Sequence, residues 1–187
     1  MVNILKIPPH NYTLREYSVI KILENNKHLM IKTFLNVGFR NWGDFRNHWW
    51  IRICDENNIK WKILEIFEEN VKNVVSEGCS VDNIILGDIL DGDAYDNVDC
   101  LLFWHGPEHI TKQAFLDALP NIEKRVNKLI IFGMPLGYEP QDIIYNNEHE
   151  KHVSEWHADD WKNLGYNVNE VHDRIPAHIT AYKIMNI

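Results

Sequence analysis

The stretch Gly165-Tyr166-Asn167-Val168-Asn169-Glu170-Val171-His172-Asp173-Arg174-Ile175-Pro176-Ala177-His178-Ile179-Thr180-Ala181-Tyr182-Lys183-Ile184-Met185 decides the fold. Gly165 reads as the stop of a preceding helix, because the left-handed backbone that follows a last helical turn suits glycine best. Two strand-like runs come next, 166–172 and 178–185, and only 173–177 separates them. A parallel crossover needs a dozen or more residues. The two runs are therefore expected to pair as an antiparallel hairpin.

Toward the N terminus the pattern differs. Short apolar runs of strand length occur at 33–37, 61–66, 83–86, 98–104 and 128–133, and runs this apolar suit strands buried on both faces. Stretches of helical character lie at 67–77 and 111–126, and a helix over 156–164 precedes the hairpin. Strands alternating with helices imply parallel pairing through right-handed crossovers. Leu14, Tyr17, Val19, Ile20 and Leu23 predict an amphipathic helix over 14–27 that ends near Asn25-Asn26 and lies against the sheet, within an N-terminal helical extension of residues 1–30. The expectation is an α/β, doubly wound, mostly parallel sheet with a C-terminal antiparallel hairpin, in a single domain covering 1–187.

Composition narrows the function classes. A chain of 187 residues, 45% apolar and 25% charged, can bury one sizeable core. Its 19 Lys and Arg against 27 Asp and Glu give a formal charge of −8, which repels a phosphate backbone, so no nucleic-acid partner is expected. Cys54, Cys79 and Cys100 form an odd set without C-x-x-C spacing, which suggests neither a disulfide framework nor a structural zinc site and fits a reduced, cytoplasmic setting. Residues 1–10 hold two prolines and no long apolar run, and no later segment approaches the roughly 20 apolar residues of a membrane span. Neither export nor membrane association is expected.

In an open α/β sheet the ligand sits beyond the carboxyl ends of the strands, so the informative residues directly follow each strand. After the first comes Asn36-Val37-Gly38-Phe39-Arg40-Asn41-Trp42-Gly43, where Gly38 permits a tight turn. Leu64-Glu65-Ile66 ends the second; Glu65 can accept two hydrogen bonds from a ribose diol, or simply face solvent at a strand end. Leu86-Gly87-Asp88-Ile89 ends the third; Asp88 can accept from an exocyclic amine while a neighbouring N–H donates to a ring nitrogen, although Gly-Asp is also a common turn pair. Trp104-His105-Gly106-Pro107-Glu108-His109 follows the fourth. Trp104 can line a pocket, and either His105 or His109 can take a proton near neutral pH. The segment Glu148-His149-Glu150-Lys151-His152 with His157 lacks a recognised zinc spacing, so no metal is expected, and these residues are read as capping a helix or bordering the substrate entrance.

Taken in series, these segments resemble the cofactor motifs of the class I S-adenosylmethionine-dependent methyltransferases: a glycine loop, an acid ending the second strand, Gly-Asp after the third and Glu-His after the fourth. The resemblance continues through Phe132-Gly133-Met134-Pro135-Leu136-Gly137, Gln141, Asn146-Asn147-Glu148, His152, Ser154, Trp156 and Gly165-Tyr166. It implies a seven-stranded, Rossmann-like sheet whose last strand inserts antiparallel, and S-adenosylmethionine as cofactor. It places Glu65 at the ribose hydroxyls, Asp88 and Ile89 at the adenine, Gly38, Phe39 and Arg40 at the methionyl part, and Ile66 and Trp104 among the cofactor-binding residues of the pocket. His105 and His109 are the candidates for a catalytic role, with none assigned, since methyl transfer can proceed by positioning alone. The three-glycine loop of nicotinamide-binding domains is missing.

The first loop departs from the family pattern. Asn36 stands at the usual acidic position, and Phe39, Arg40 and Trp42 are bulky where glycines are usual. Either Arg40 pairs with the methionyl carboxylate, or Phe39 and Trp42 fill the ligand space. Without an Asn-Pro-Pro-Tyr segment, and with loops read as short, the expected methyl acceptor is a small molecule. The alternative from another class is a non-catalytic scaffold acting as a binding or interaction protein, suggested by the crowded loop and the seven tryptophans.

Overall fold

Residues 5–39 and 45–185 are described by a computed structural model. Seven strands form one sheet: β1 (Thr33–Val37), β2 (Lys60–Glu65), β3 (Ile84–Leu86), β4 (Val98–Trp104), β5 (Val126–Pro135), β6 (Asn167–Val171) and β7 (His178–Ile184). Their spatial order is β3-β2-β1-β4-β5-β7-β6. The first five pair in parallel, and β7 inserts antiparallel between β5 and β6. The hairpin read from the 165–185 stretch is present, with Asn167 opposite Tyr182 and Val171 opposite His178.

The apolar runs are explained by the two faces they cover. Along β4, Cys100 and Leu102 point to one side and Leu101 and Phe103 to the other, and all four are buried. The first side, with Phe34, Ile63, Leu129 and Ile131, packs under helices α1 (Leu14–Asn25), α2 (Trp49–Glu56) and α3 (Glu68–Ser76). The second, with Leu35, Ile130 and Phe132, packs under α4 (Lys112–Lys124) and α5 (Ala158–Asn163). Phe132 and Trp161 stack there with ring centroids 4.9 Å apart. Cys54 and Cys100 are free thiols inside the first core, and burial raises the pKa of each.

Helix α1 begins with a reciprocal cap in which Thr13 Oγ1 accepts from the Glu16 N–H and Glu16 accepts from the Thr13 N–H. It packs Val19, Ile20, Ile22 and Leu23 into the core. Its buried Arg15 pairs with Asp173 at 3.0 Å and donates to the Pro176 carbonyl, which ties the helix to the β6–β7 link. Helix α2 was not anticipated. Trp49, Trp50, Ile51, Ile53 and Cys54 lie at the spacing of one broad helical face, but its first residue follows His48, which makes no side-chain cap. Among the described residues no helix is long and apolar enough to cross a membrane.

Asp99 locks the other end of the sheet. It sits at a register shift between β4 and β5, accepts from the Lys32 N–H at 2.8 Å and Lys128 Nζ at 3.0 Å, and donates its own N–H to Thr33 Oγ1. Burial alone would raise its pKa, but these donors outweigh burial and hold the carboxyl below its ordinary range. Asp99→Ala is expected to lower stability by about 1–3 kcal/mol, because the Lys32 N–H and the Lys128 ammonium lose their acceptor. The folded pKa is depressed, so this contribution is present above the ordinary carboxylate range and fades as pH falls through the lower folded value. Urea unfolding of both proteins at pH 7 and pH 3 checks it: their difference should shrink at the lower pH.

Candidate functional site

A cleft of about 830 Å³ opens beyond the carboxyl ends of β1 to β4. It lies where the strand order reverses between β1 and β4, the usual place for a ligand in such a sheet. Its volume is within the range of small-molecule sites.

The first wall is the β1 turn. Gly38 has φ +73°, in the left-handed region that glycine tolerates, its N–H donates to the Leu64 carbonyl at 2.8 Å, and its carbonyl accepts from the Asn36 amide at 2.7 Å. The Phe39 N–H donates to Glu65 Oε2 at 2.6 Å. Glu65 Oε1 accepts from the Phe67 N–H at 2.8 Å, and the Asn70 side chain also bonds this carboxylate. Glu65 is only 5% exposed, and burial pushes its pKa up despite these donors. The solvent-facing alternative for Glu65 is therefore wrong. Its strand lies between β3 and β1, and its carboxylate joins the β1 turn to the start of α3 at the cleft wall.

Asp88 combines the two expectations made for it. Its Oδ1 accepts from the Leu90 N–H at 2.9 Å and its carbonyl from the Asp91 N–H, so it forms a turn, and it also lines the cleft. Ile89 is buried beside it, while Ile66 is half exposed at the rim. Beyond β4, a Cβ added at Gly106 would overlap the Phe103 ring, and one at Gly133 would overlap Trp104. These two glycines let both rings lie against backbone. Trp104 packs its ring 4.5 Å from that of His178, and His105 Nδ1 stands 3.3 Å from Glu108 Oε1.

The opposite wall is the 136–157 segment between β5 and α5; its His-rich part was expected to cap a helix or border the substrate entrance, but its length and its contacts were not anticipated. It contributes Glu139, Gln141, Asn147, His149, Glu150 and His152 to the cleft. It is braced at both ends: the Gly137 N–H donates to the Trp156 carbonyl, and the His152 N–H to that of Gln141. The N–H groups of Val153 and Ser154 both donate to the Glu108 carbonyl, at 2.9 and 3.1 Å. Ser154 Oγ donates to the Pro107 carbonyl and accepts from Trp156 Nε1. The His-x-Ser-x-Trp spacing was visible, and these bonds are its reason: it fastens the segment to Pro107-Glu108-His109. His109 lies 3.3 Å through Nδ1 from the Lys151 carbonyl, and burial lowers its pKa, so its ring is neutral at neutral pH.

No family model and no curated protein sequence matches the chain. Solved structures do. A SAM-dependent methyltransferase from Archaeoglobus fulgidus is 16% identical with a TM-score of 0.56, the match covering 89% of this chain and 94% of that one. Magnesium protoporphyrin IX methyltransferase from Synechocystis PCC 6803, with bound SAH, is 9% identical with a TM-score of 0.60, covering 96% and 90%. TehB from Haemophilus influenzae is 13% identical with a TM-score of 0.62, covering 95% and 64%. The chain has the S-adenosylmethionine-dependent methyltransferase fold.

Within this methyltransferase fold, Gly38, Phe39, Glu65, Ile66, Asp88, Ile89, Trp104, His105 and His109 all line the same cleft. Arg40 lies outside the described residues, as does Trp42. Phe39 is 5% exposed, with its ring 4.5 Å from His48 and 6.2 Å from Trp50. Its bulk is thus absorbed by the core above α2. It also forms part of the cleft wall.

Proposed function

We propose that the chain binds S-adenosylmethionine in this cleft and directs its methyl group to a small-molecule acceptor. The observation that carries the reading is the convergence, at the reversal point of the sheet, of a positive-φ glycine turn, a buried acid ending β2 and an acid in the turn after β3. Glu65 would accept from the ribose hydroxyls with the lone pairs its backbone donors leave free. Asp88 and Ile89 would receive the adenine, Gly38 and Phe39 the methionyl part, and Trp104 would shield the reacting end from water. When bound, the sulfonium supplies an electrophilic methyl group. The protein's part is orientation and water exclusion, and His105 on the cleft wall would take a proton from an acceptor.

The scaffold alternative needs a blocked cleft; Phe39, one of the two residues expected to block it, packs into the core instead. The formal charge of −8 favours a small molecule over nucleic acid. Calorimetric titration with S-adenosylmethionine and S-adenosylhomocysteine tests the reading. Micromolar binding of both is expected, and absence of binding at millimolar ligand would leave the scaffold reading standing.

A further inference from the structure

Glu108, His109 and His152 meet on the cleft wall where the β4–α4 turn touches the 136–157 segment. One Glu108 oxygen and one nitrogen from each ring lie within 4.8 Å of one another. Glu108 is 2% exposed, yet neither carboxylate oxygen accepts a hydrogen bond among the described residues; His105 Nδ1 stands 3.3 Å from Oε1. A carboxylate buried this deeply without donors is costly unless something compensates it.

The two rings are held in a particular way. His109 Nδ1 is 3.3 Å from the Lys151 carbonyl, and His152 Nδ1 is 2.5 Å from the Glu139 carbonyl. A carbonyl only accepts, so each Nδ1 carries a proton, and in the neutral ring Nε2 is then the nitrogen with a free lone pair. Proteins orient metal-bound imidazoles by this kind of backbone contact. The fastening of Val153 and Ser154 to the Glu108 carbonyl keeps the two chain segments together.

We propose that Glu108, His109 and His152 bind one divalent first-row transition ion, Zn²⁺ or Mn²⁺, with open coordination positions toward the cleft. Two imidazoles and one carboxylate suit such an ion better than Mg²⁺ or Ca²⁺, which prefer oxygen. Bonds of about 2.1 Å set tetrahedral ligand atoms about 3.4 Å apart, so small side-chain rotations close the triad around an ion. The spacing rule that predicted no metal looked for ligands close in sequence, whereas this set joins Glu108-His109 to His152 across the fold. One consequence rests on the methyl-transfer reading: an acceptor offering a hydroxyl or carboxylate oxygen would fill an open position.

The test is calorimetric titration of the full, metal-free chain with Zn²⁺ and Mn²⁺, and a parallel Co²⁺ titration followed by visible absorption. One ion per chain with micromolar or tighter affinity is expected. His109→Ala and His152→Ala should each weaken binding at least about tenfold, and His172→Ala, at an exposed His172–Glu170 pair, should leave it unchanged. Binding that survives both triad variants is adventitious and overturns the proposal. If a variant fails to fold, the wild-type cobalt spectrum decides: ligand-field bands at one equivalent support the site, and their absence overturns it. S-adenosylmethionine binding to the metal-free protein, measured separately, tells failure of this site from failure of the cofactor reading.

Discussion

Glu65→Ala is expected to lower stability by about 2–4 kcal/mol and to weaken S-adenosylmethionine at least tenfold. The first effect follows from the bonds it breaks. The N–H groups of Phe39 and Phe67 lose their acceptor, the Asn70 side chain loses its partner, and a cavity opens at a site 5% exposed. Each orphaned buried donor costs about 1–3 kcal/mol, partly offset because the carboxylate no longer has to be desolvated. The second effect has two sources: the loss of the ribose acceptor, about 1.5–3 kcal/mol for a charge-assisted bond, and a loosened Gly38–Phe39 turn. Adenosine shares the ribose and lacks the methionyl part, so it separates them. If Glu65 holds the ribose, adenosine should weaken by a similar factor. If Glu65 only fixes the turn, adenosine affinity in the folded variant should be untouched. Denaturant unfolding and calorimetry on the same preparations read both quantities.

The double duty of Glu65 marks where sequence reasoning stops. An acid at the end of an apolar run is visible in the chain, and so is its place in a series with Gly38 and Asp88. What cannot be read is that its oxygens are engaged by Phe39 and Phe67, because that depends on how closely the β1 turn passes over β2. The strands were legible because residues such as Leu101 and Leu102 are apolar in immediate succession, as a strand buried on both faces requires. The hairpin was legible because 173–177 is too short for any other connection. Helix α2 was not, since Trp49-Trp50-Ile51 gives the same succession and the missing side-chain cap at His48 removes the usual start signal. The 136–157 segment was opaque for another reason. Its order comes from bonds to Pro107 and Glu108 carbonyls, partners far away in sequence that no local pattern encodes. The meeting of His152 with Glu108 and His109 follows from the same distant contacts.

Lowering the pH from 7.5 to 5 is expected to cost about 2 kcal/mol of stability through His178 alone. This residue is fully buried at the start of β7, between the rings of Trp104 at 4.5 Å and His105 at 4.9 Å, and neither of its nitrogens has a hydrogen-bond partner among the described residues. Burial drives its pKa down to about 2, with His105, Arg15 and Arg174 adding repulsion against a proton. The folded pKa is therefore below the unfolded value near 6.5, and the unfolded chain takes up a proton that the folded one refuses. Stability falls as pH drops below about 6.5, at roughly 1.4 kcal/mol per pH unit, until the folded ring itself titrates. His48 and His109, whose pKa values burial also lowers, add loss of the same sign, while Glu65, whose pKa is raised, opposes it. The contribution of His178 is isolated by difference. His178→Leu has a similar volume and no proton to gain, so it should match the wild type within about 1 kcal/mol at pH 7.5 and lose about 2 kcal/mol less on acidification. Urea unfolding of the two proteins at pH 7.5, 6 and 5 measures both slopes. Parallel slopes would show that the buried ring finds compensation on protonation, and the assignment of the acid sensitivity to His178 would fail.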